Sequence, residues 1–249
     1  MRRFFAADID SGSRMAVLRG DELKHLKNSL RLGTGAEVIV INGRGFEFAG
    51  IVENVTDTSA IIRIFDVTEC IRSSPLKVKL VQAMPKGSKP EFIIQKATEL
   101  GVRKLVFYFS ERTVPVLDKE AREKKRKRYE RIAIEAVKQC GRGWLPVISF
   151  KEFNEAIGAS SSKLKLALYE RESEVDRKRV PIKAALKGYD KSDGIALLLG
   201  PEGGFTEEEI SLAERAGYMP VGIGPRILRS ETAAIAALSI VQYELGDMG

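Results

Sequence analysis

A glycine- and proline-rich turn separates an apolar run from a helix start in the segment LLLGPEGGFTEEEI (residues 197–210). Because GPEGG (200–204) carries few side chains, its bends bring backbone N–H and C=O groups within reach of a ligand. Thr206 and Glu209 have the spacing of a capping box, and the glutamates from Glu207 onward fill the first helical turn with negative charge. This charge disfavours a phosphate, and neither G-x-G-x-x-G nor G-x-x-x-x-G-K-[ST] occurs in the chain. A turn that binds nothing is the alternative.

A second loop of the same kind follows in VGIGPRILRSETAAIAAL (221–238). Its glycines loosen the end of an apolar segment and its proline fixes the turn, and RILRSET then presents Arg226, Arg229 and Glu231 before a helix of small residues. That helix can pack very closely on another element. The alternative is an ordinary helix start with surface arginines. The presence of two similar loops disfavours this alternative.

Other groups that could do chemistry are sparse. His25 is the only histidine, which excludes a histidine-rich metal site and disfavours a Ser-His-Asp triad. Cys70 and Cys140 lie far apart and suit reduced thiols rather than a disulfide framework. No metal site is therefore expected.

The elements that position these residues follow two patterns. Residues 1–72 contain AEVIVI (36–41), FEFAGIVEN (46–54) and AIIRIFDV (60–67), which are separated by turn-forming residues and preceded by one short helix around 21–30. Their β-branched and aromatic content predicts closely spaced antiparallel strands, which with one helix indicate a small barrel.

After a linker at 68–75, strands and helices alternate. Strands are predicted at 76–84, 103–109, 164–169, 194–200 and 219–224, and helices at 88–101, 119–140, 206–216 and 230–245. Ser88 and Glu91 have capping-box spacing, and Gly101 ends that helix. Such alternation predicts an α/β domain with a buried, mostly parallel sheet, in which both glycine loops follow strand ends where ligands bind.

Composition limits the partners and the location. Hydrophobic residues make up 44% of the 249-residue chain, enough for a packed core, and no apolar run reaches the length of a membrane span. The N-terminus has acidic residues where a signal peptide is apolar, so a cytoplasmic protein is expected. The formal charge of +7 favours an anionic partner, nucleic acid first.

The two loop segments together resemble the cofactor-binding signature of the RsmE family, 16S ribosomal RNA uridine N3-methyltransferases of the SPOUT (trefoil-knot) class. Further segments resemble the family in its own order: MRRFF at the start, HLKNSLRLGTG (25–35), MPKGSKPEFIIQKATELGV (84–102), SERTV (110–114) and RIAIEAVKQCGR (131–142). The resemblance covers nearly the whole chain. GWLP (143–146) departs from the more polar sequence expected there.

The resemblance implies an α/β fold with two domains: a small PUA-like β-barrel that binds RNA at 1–72, and a trefoil-knotted, parallel-sheet SPOUT methyltransferase domain at 73–249. It also implies a homodimer with the site near the subunit interface. A cytoplasmic protein that takes part in ribosome biogenesis and ribosomal RNA processing is expected.

The implied cofactor is S-adenosyl-L-methionine (SAM), a cation without phosphates that needs apolar walls and backbone groups. The residues that the resemblance assigns to its pocket are Leu198, Leu199, Gly200 and Gly203 from the first loop, Ile223, Gly224, Ile227 and Leu228 from the second, and Tyr169 with Glu170 as a third wall. A branched side chain at Gly203 is expected to abolish binding, by filling ligand space and by resisting an unusual backbone angle.

The implied reaction transfers a methyl group to N3 of a uridine, which carries a proton at neutral pH. A base or a cation must therefore act nearby. Arg229 is the candidate for orienting the uracil and stabilising its charge, and Glu231 and Glu202 are candidate bases. For the two glutamates, helix capping and loop bracing are equally plausible roles.

The implied macromolecular partner is 16S ribosomal RNA of the small ribosomal subunit. Candidate RNA-binding residues are His25, Arg31, Lys86, Lys89, Arg112, Lys124, Lys125, Arg126 and Lys127. The last four belong to the run KEAREKKRKRYER (119–131), for which a solvated helix face with pairs such as Glu120–Lys124 is the alternative.

Two other functions stay open. One is a SPOUT enzyme that methylates a different RNA position, and the other is a non-catalytic RNA-binding protein of ribosome assembly whose glycine loops are only turns. Paired loops with Arg229 favour an enzyme, because a pure RNA-binding protein needs neither.

Overall fold

A computed structural model of the chain describes residues 1–7, 9–10, 12, 14–113, 117–158, 162–170, 179–190 and 193–249. Val114, the last residue of the segment SERTV, lies outside the described residues. The chain divides into two units, one of Met1–Ser73 with Ile134–Leu145, the other of Ser74–Ala133 with Pro146–Gly249. The sequence pattern did not indicate that residues 134–145 join the first unit.

The first unit contains a six-stranded sheet. Its strands are β1 (Arg2–Phe5), β2 (Ile9–Asp10), β3 (Met15–Leu18), β4 (Glu37–Ile41), β5 (Phe46–Val55) and β6 (Ala60–Glu69). They lie in the order β1-β4-β5-β6-β3-β2, with β1 and β4 parallel and the other pairs antiparallel. The predicted short helix is α1 (Gly20–Lys24), which continues into a π-helical turn (His25–Ser29). The helix and one face of the sheet enclose an apolar core that includes Phe4, Leu26 and Ile62.

Trp144 of the segment GWLP packs within this first unit. It forms a β-bridge with Arg44, and a Cβ built on Gly45 would lie 2.7 Å from the indole ring. Gly45 has a φ of 97°, in the left-handed region that favours glycine. The aromatic residue that departs from the expected polar sequence is thus matched by a glycine on the facing turn.

The second unit contains a seven-stranded sheet in which every neighbouring pair is parallel. Its strands are β7 (Val78–Ala83), β8 (Lys104–Phe109), β9 (Val147–Glu152), β10 (Leu164–Leu168), β11 (Val180–Pro181), β12 (Ile195–Leu199) and β13 (Met219–Gly222). The order is β11-β13-β10-β12-β7-β8-β9. The central strands β7 and β12 are buried along their whole length. β12 is a continuous apolar run, as expected in a covered parallel sheet, whereas β7 also buries Lys79 and Gln82.

Helices connect these strands. They are α2 (Lys89–Glu99), α3 (Lys119–Cys140, whose residues from Ile134 onward belong to the first unit), α4 (Phe153–Gly158), α5 (Ile182–Leu186), α6 (Glu207–Arg215) and α7 (Ser230–Leu245). The predicted helices at 119–140, 206–216 and 230–245 are confirmed to within a residue, whereas α4, α5 and β9 were not predicted.

The start of α2 differs from the sequence prediction. Ser88 is the N-cap residue, but its side chain makes no capping hydrogen bond because its own backbone is already helical, with φ −89° and ψ −4°. The Glu91 carboxylate instead pairs with Arg128 at 2.7 Å. The predicted capping box at Ser88 is therefore wrong. The predicted stop at Gly101 is confirmed, with a φ of 84°.

Within the described ranges, no helix combines the length and apolar composition needed to cross a bilayer.

Candidate active site

Three loops meet at the carboxyl edge of the second sheet. Strands β13, β10 and β12 are neighbours and parallel, so their C-terminal ends lie side by side. The residues after these strands enclose a cavity of about 570 Å³ at that edge. Its position is the one at which open parallel sheets bind ligands.

The walls of the cavity are largely apolar and backbone surface. The lining residues are Leu168, Tyr169 and Glu170 after β10; Leu199, Gly200, Pro201, Glu202, Gly203, Gly204 and Phe205 after β12; Ile227, Leu228, Arg229, Ser230 and Ala233 around the start of α7; and Lys89 of α2. The charged groups of this lining are Lys89, Glu170, Glu202 and Arg229.

The first loop is braced from several sides. A Cβ on Gly200 would lie 3.0 Å from the Phe205 ring, so only glycine lets the backbone approach that ring. Gly204 has a φ of 73° and donates its N–H to the Pro201 carbonyl at 2.8 Å, which closes the turn. The Arg112 guanidinium donates to the carbonyls of Gly203 (3.2 Å) and Phe205 (3.3 Å). Arg112, predicted to bind RNA, thus holds the outer side of this loop.

Gly203 behaves differently from the sequence expectation. It is not among the glycines with positive φ, and a Cβ there would meet only Arg112 Cδ at 3.7 Å, an ordinary contact. The unusual backbone angle belongs to Gly204, so the expected conformational reason for glycine at 203 is wrong.

Helix α6 begins as the sequence predicts. Thr206 accepts from the Glu209 N–H at 3.0 Å, and the Glu209 carboxylate accepts from the Thr206 N–H at 2.8 Å, which completes the capping box. Glu207 accepts from the Tyr169 hydroxyl at 3.2 Å. Because the acidic residues of α6 complement the N-terminal end of this helix, that end does not offer free N–H groups to an anion.

Helix α7 begins without a side-chain cap. Arg229 is the N-cap residue with an extended backbone, and no side chain caps the first turn. The Leu228 N–H just before it donates to the Glu170 carboxylate at 3.1 Å, which joins the loop after β10 to the second glycine loop. Ser230, the first helical residue, accepts from the Gln82 side chain at 2.8 Å. Arg229, Ser230 and Ala233 at the start of this helix line the cavity.

A cluster of opposite charges lies beside that turn. The Lys89 ammonium donates to Glu202 Oε1 at 2.5 Å and lies 3.8 Å from Glu231 Oε2. The hydrogen bond to Glu202 raises the pKa of Lys89, and Arg229 opposes this shift. Glu231 Oε2 is itself buried and has no hydrogen-bond partner among the described residues. Both candidate bases and Arg229 are thus brought together around one lysine.

Seven of the ten residues that the sequence assigns to the cofactor pocket line the cavity: Tyr169, Glu170, Leu199, Gly200, Gly203, Ile227 and Leu228. Leu198, Ile223 and Gly224 do not. Leu198 is fully buried in the core cluster, because successive residues of β12 point to opposite faces of the sheet. Leu168, Pro201, Gly204, Phe205, Ser230 and Ala233 line the cavity without having been predicted. For Leu168 a signal existed, since it is the register partner of Leu199 on the neighbouring strand.

The predicted RNA-binding residues are dispersed. In the first unit, His25 lies 5.9 Å from the Phe4 ring and Arg31 is exposed. In the second unit, Lys86 is exposed and Lys89 lies in the charge cluster.

The basic face of α3 is partly paired. Lys124 and Lys127 are exposed, and Lys125 lies 5.9 Å from the Tyr129 ring. Arg126 pairs with Glu123 at 2.7 Å and with Glu130, and Glu123 also lies 3.9 Å from Lys127. The face thus combines intrahelical ion pairs with lysines that point into solvent.

In the part of the chain that the structure describes, no group of three or more His, Cys, Asp or Glu residues is arranged to hold a metal ion.

Comparisons with known proteins agree with this architecture. Residues 72–242 match the family model of an RNA methyltransferase domain, and residues 18–65 match that of an RNA methyltransferase PUA domain. The chain is 32% identical to ribosomal RNA small subunit methyltransferase E of Bacillus subtilis over 228 residues, which are 91% of this chain and 89% of that protein.

Two solved structures are similar over nearly the whole chain. One is ribosomal RNA small subunit methyltransferase E from Neisseria gonorrhoeae bound to S-adenosyl methionine, with a TM-score of 0.85, 29% identity and full coverage of both chains. The other is a methyltransferase from Legionella pneumophila in complex with SAM, with a TM-score of 0.84, 34% identity and 98% coverage of both chains.

The parallel sheet, the cavity at its carboxyl edge and the matched domains define an RNA methyltransferase with a PUA domain. The chain belongs to the RsmE family, whose members are named ribosomal RNA small subunit methyltransferase E. The predicted family, the α/β fold and the PUA-like N-terminal region are confirmed.

Proposed function

We propose that this protein is a SAM-dependent methyltransferase that modifies N3 of a uridine in 16S ribosomal RNA of the small ribosomal subunit. The observation that carries the proposal is the cavity at the carboxyl edge of β10, β12 and β13, where apolar walls adjoin the Lys89–Glu202–Glu231–Arg229 cluster. The Neisseria relative with the same fold and family name is bound to S-adenosyl methionine, which supports the choice of cofactor.

The residues present fit SAM. Leu168, Leu199, Ile227 and Leu228 supply apolar walls for an adenine ring and an aliphatic chain, and the glycine loop exposes backbone groups. The capping box of α6 leaves no site for a phosphate, and SAM has none. When bound, SAM supplies an electrophilic methyl group at its sulfonium centre.

The charged residues of the chain are proposed to remove the N3 proton of the uracil and to stabilise the negative charge that results. The uracil N3 must lose a proton, and the proposed acceptor is Glu231, which follows the cavity-lining residues Arg229 and Ser230 in the first turn of α7. The negative charge that the uracil acquires on its oxygens is stabilised by Arg229 and by the uncapped N–H groups of α7. Glu202 is the alternative base, but its carboxylate is already engaged by Lys89.

RNA binding is assigned to both units. We propose residues 1–72 as the PUA-like RNA-binding domain and 73–249 as the SPOUT methyltransferase domain, with the basic face of α3 contacting phosphates. The trefoil knot is part of this proposal, supported by the position of the late strand β13 between β10 and β11. A cytoplasmic location follows from a ribosomal substrate.

The test of the function is direct. The protein is incubated with labelled SAM and small subunits that lack the modification, and the methylated base is mapped by mass spectrometry. Label at N3 of one 16S uridine is the expected result, with Arg229→Ala protein as the control. Label at another RNA position would identify a different SPOUT specificity, and no label with SAM bound would favour a non-catalytic assembly factor.

Assembly is proposed as a homodimer. Helix α7 carries small residues along much of its length, while Tyr243 near its end is 64% exposed. A dimer mass by light scattering at micromolar concentration is expected. A monomer mass over that whole range would refute the proposal.

A further inference from the structure

Lys89 occupies a position that the stability of its own helix does not explain. It is the first residue of α2, where the positive end of the helix dipole disfavours a cation. Its ammonium turns away from the helix to the cavity, where it meets Glu202 of the first glycine loop. It also approaches Glu231 of α7, which is not one of the residues that line the cavity. The lysine thus connects two carboxylates that lie on separate elements.

The two contacts differ in kind. Glu202 accepts a hydrogen bond from Lys89, whereas Glu231 Oε2 lies at 3.8 Å, beyond hydrogen-bond distance but well within reach of its charge. The oxygen that faces the ammonium is the one without a hydrogen-bond partner among the described residues. Lys89 therefore lies between two carboxylates, hydrogen-bonded to Glu202 and facing an oxygen of Glu231 across 3.8 Å.

We propose that Lys89 is a positioning residue of the methyl-transfer reaction: it holds Glu231 of α7, the proposed proton acceptor, in place while it fastens the first glycine loop through Glu202. This inference rests on the proposed function. It gives Lys89 a role inside the site in place of the RNA-phosphate contact that the sequence predicts.

The proton balance of the step is simple. The N3–H bond of the uracil breaks, its electron pair stays on the ring, and the proton forms an O–H bond with the Glu231 carboxylate. Lys89 keeps its own protons, because the hydrogen bond to Glu202 raises its pKa. Arg229 on α7 and Glu202 are the other charged groups of this cluster that line the cavity, and Arg229 offsets the charge that develops on the ring.

Lys89→Met removes the ammonium and retains most of the aliphatic stem. We expect kcat at saturating RNA to fall about tenfold to a hundredfold, with SAM affinity by calorimetry changed less than about threefold. Lys96→Met is the matched control, since Lys96 is a lysine of the same helix that also pairs with a carboxylate, Glu99 at 2.9 Å, and lies outside the cavity lining. Lys89→Arg, which keeps the charge, should recover part of the kcat that Lys89→Met removes.

A double-mutant cycle tests the route of the effect. If Lys89 acts through Glu231, adding Lys89→Met to Glu231→Gln should cost little beyond Glu231→Gln alone. Full additivity of the two effects would overturn the inference.

Two other outcomes would also overturn it. An unchanged kcat with a salt dependence of RNA binding flatter by about 0.9 in log–log slope would make Lys89 a phosphate contact. An unchanged kcat with weakened SAM binding would make it a loop fastener alone. A wild-type protein that binds SAM and RNA but transfers no methyl group would instead refute the proposed function, and the inference with it.

Discussion

Gly200 is the position where packing of the first glycine loop is tightest, and it offers a test of how the cavity is built. A Cβ there would lie 3.0 Å from Cδ2 and Cε2 of Phe205, whose side chain is buried in the core cluster. At Gly203, three residues along the same loop, a Cβ would lie 3.7 Å from Arg112 Cδ. Gly200→Ala should therefore overpack the loop, and Gly203→Ala should be accommodated.

The magnitude follows from this packing. Overpacking of a well-filled core costs about 1–3 kcal/mol, and in a chain of this length each kcal/mol lowers Tm by about 2–4 °C. Gly200→Ala should therefore lower the Tm of the transition by roughly 2–12 °C. If the strain is relieved by moving the loop out of its binding conformation, SAM affinity should fall by about tenfold for each 1.4 kcal/mol. Gly203→Ala should stay within about 0.5 kcal/mol of wild type.

The assay combines a thermal scan with calorimetric titration of SAM into the folded protein. Gly204→Ala tests the conformational reason for glycine in the same loop, since its φ of 73° imposes a cost of about 1–2 kcal/mol on a residue with a side chain. Equal destabilisation by Gly200→Ala and Gly203→Ala would refute the packing argument, as would a Gly200→Ala protein that binds SAM normally at an unchanged Tm.

Three further predictions concern charge. Arg229→Ala should leave SAM affinity nearly unchanged and lower the rate of methyl transfer about a hundredfold or more. Arg229→Lys should recover little of that rate, because an ammonium lacks the planar fork of a guanidinium. A fall in SAM affinity alone would place Arg229 in the pocket wall. Replacing Lys124, Lys125 and Lys127 by Gln should flatten the log–log salt dependence of RNA binding by about 0.9 for each phosphate that is no longer neutralised, with kcat at saturating RNA retained; an unchanged slope would show a solvated face. Burial lowers the pKa of Lys79 to about 8 in the folded protein. Between pH 8 and pH 10 the unfolded chain therefore binds more protons at this residue than the folded protein does, so the free energy of unfolding should rise over that range. Lys79→Met should reduce that rise in denaturant titrations, and an equal rise in both proteins would contradict the burial argument.

The ends of several helices could be predicted from the sequence. Glycine after α2 and the Thr206–Glu209 pair before α6 act through neighbours a few residues away, so their composition was sufficient to place helix ends. Ser88 and Glu91 have the same spacing but form no capping box, because the backbone of Ser88 is already helical and Arg128 of another helix pairs with the glutamate. Sequence spacing gives a residue the opportunity for a contact, and tertiary partners decide whether it forms.

The charged part of the site was beyond local reasoning. Lys89 and Glu202 are 113 residues apart, and only the order of strands in the sheet brings α2, the first glycine loop and α7 to one place. The inclusion of residues 134–145 in the first unit is likewise a long-range outcome. The apolar walls of the cavity were easier to predict from the sequence, since side chains alternate between the two faces of β12 and this alternation already distinguishes Leu199 from Leu198.

The two helices that follow the glycine loops differ in how well their N-terminal ends are stabilised. Helix α6 has a complete capping box and acidic residues in its first turn, which together satisfy its end. Helix α7 has Arg229 at its N-cap, a residue that cannot accept from the free N–H groups, at a cost of about 1 kcal/mol relative to Ser or Asp. Lys89 at the start of α2 breaks the same rule of helix polarity. Both departures line one cavity, and departures from local preference concentrate where function requires them. This contrast supports the proposal that the chemistry takes place at the start of α7 rather than at the start of α6.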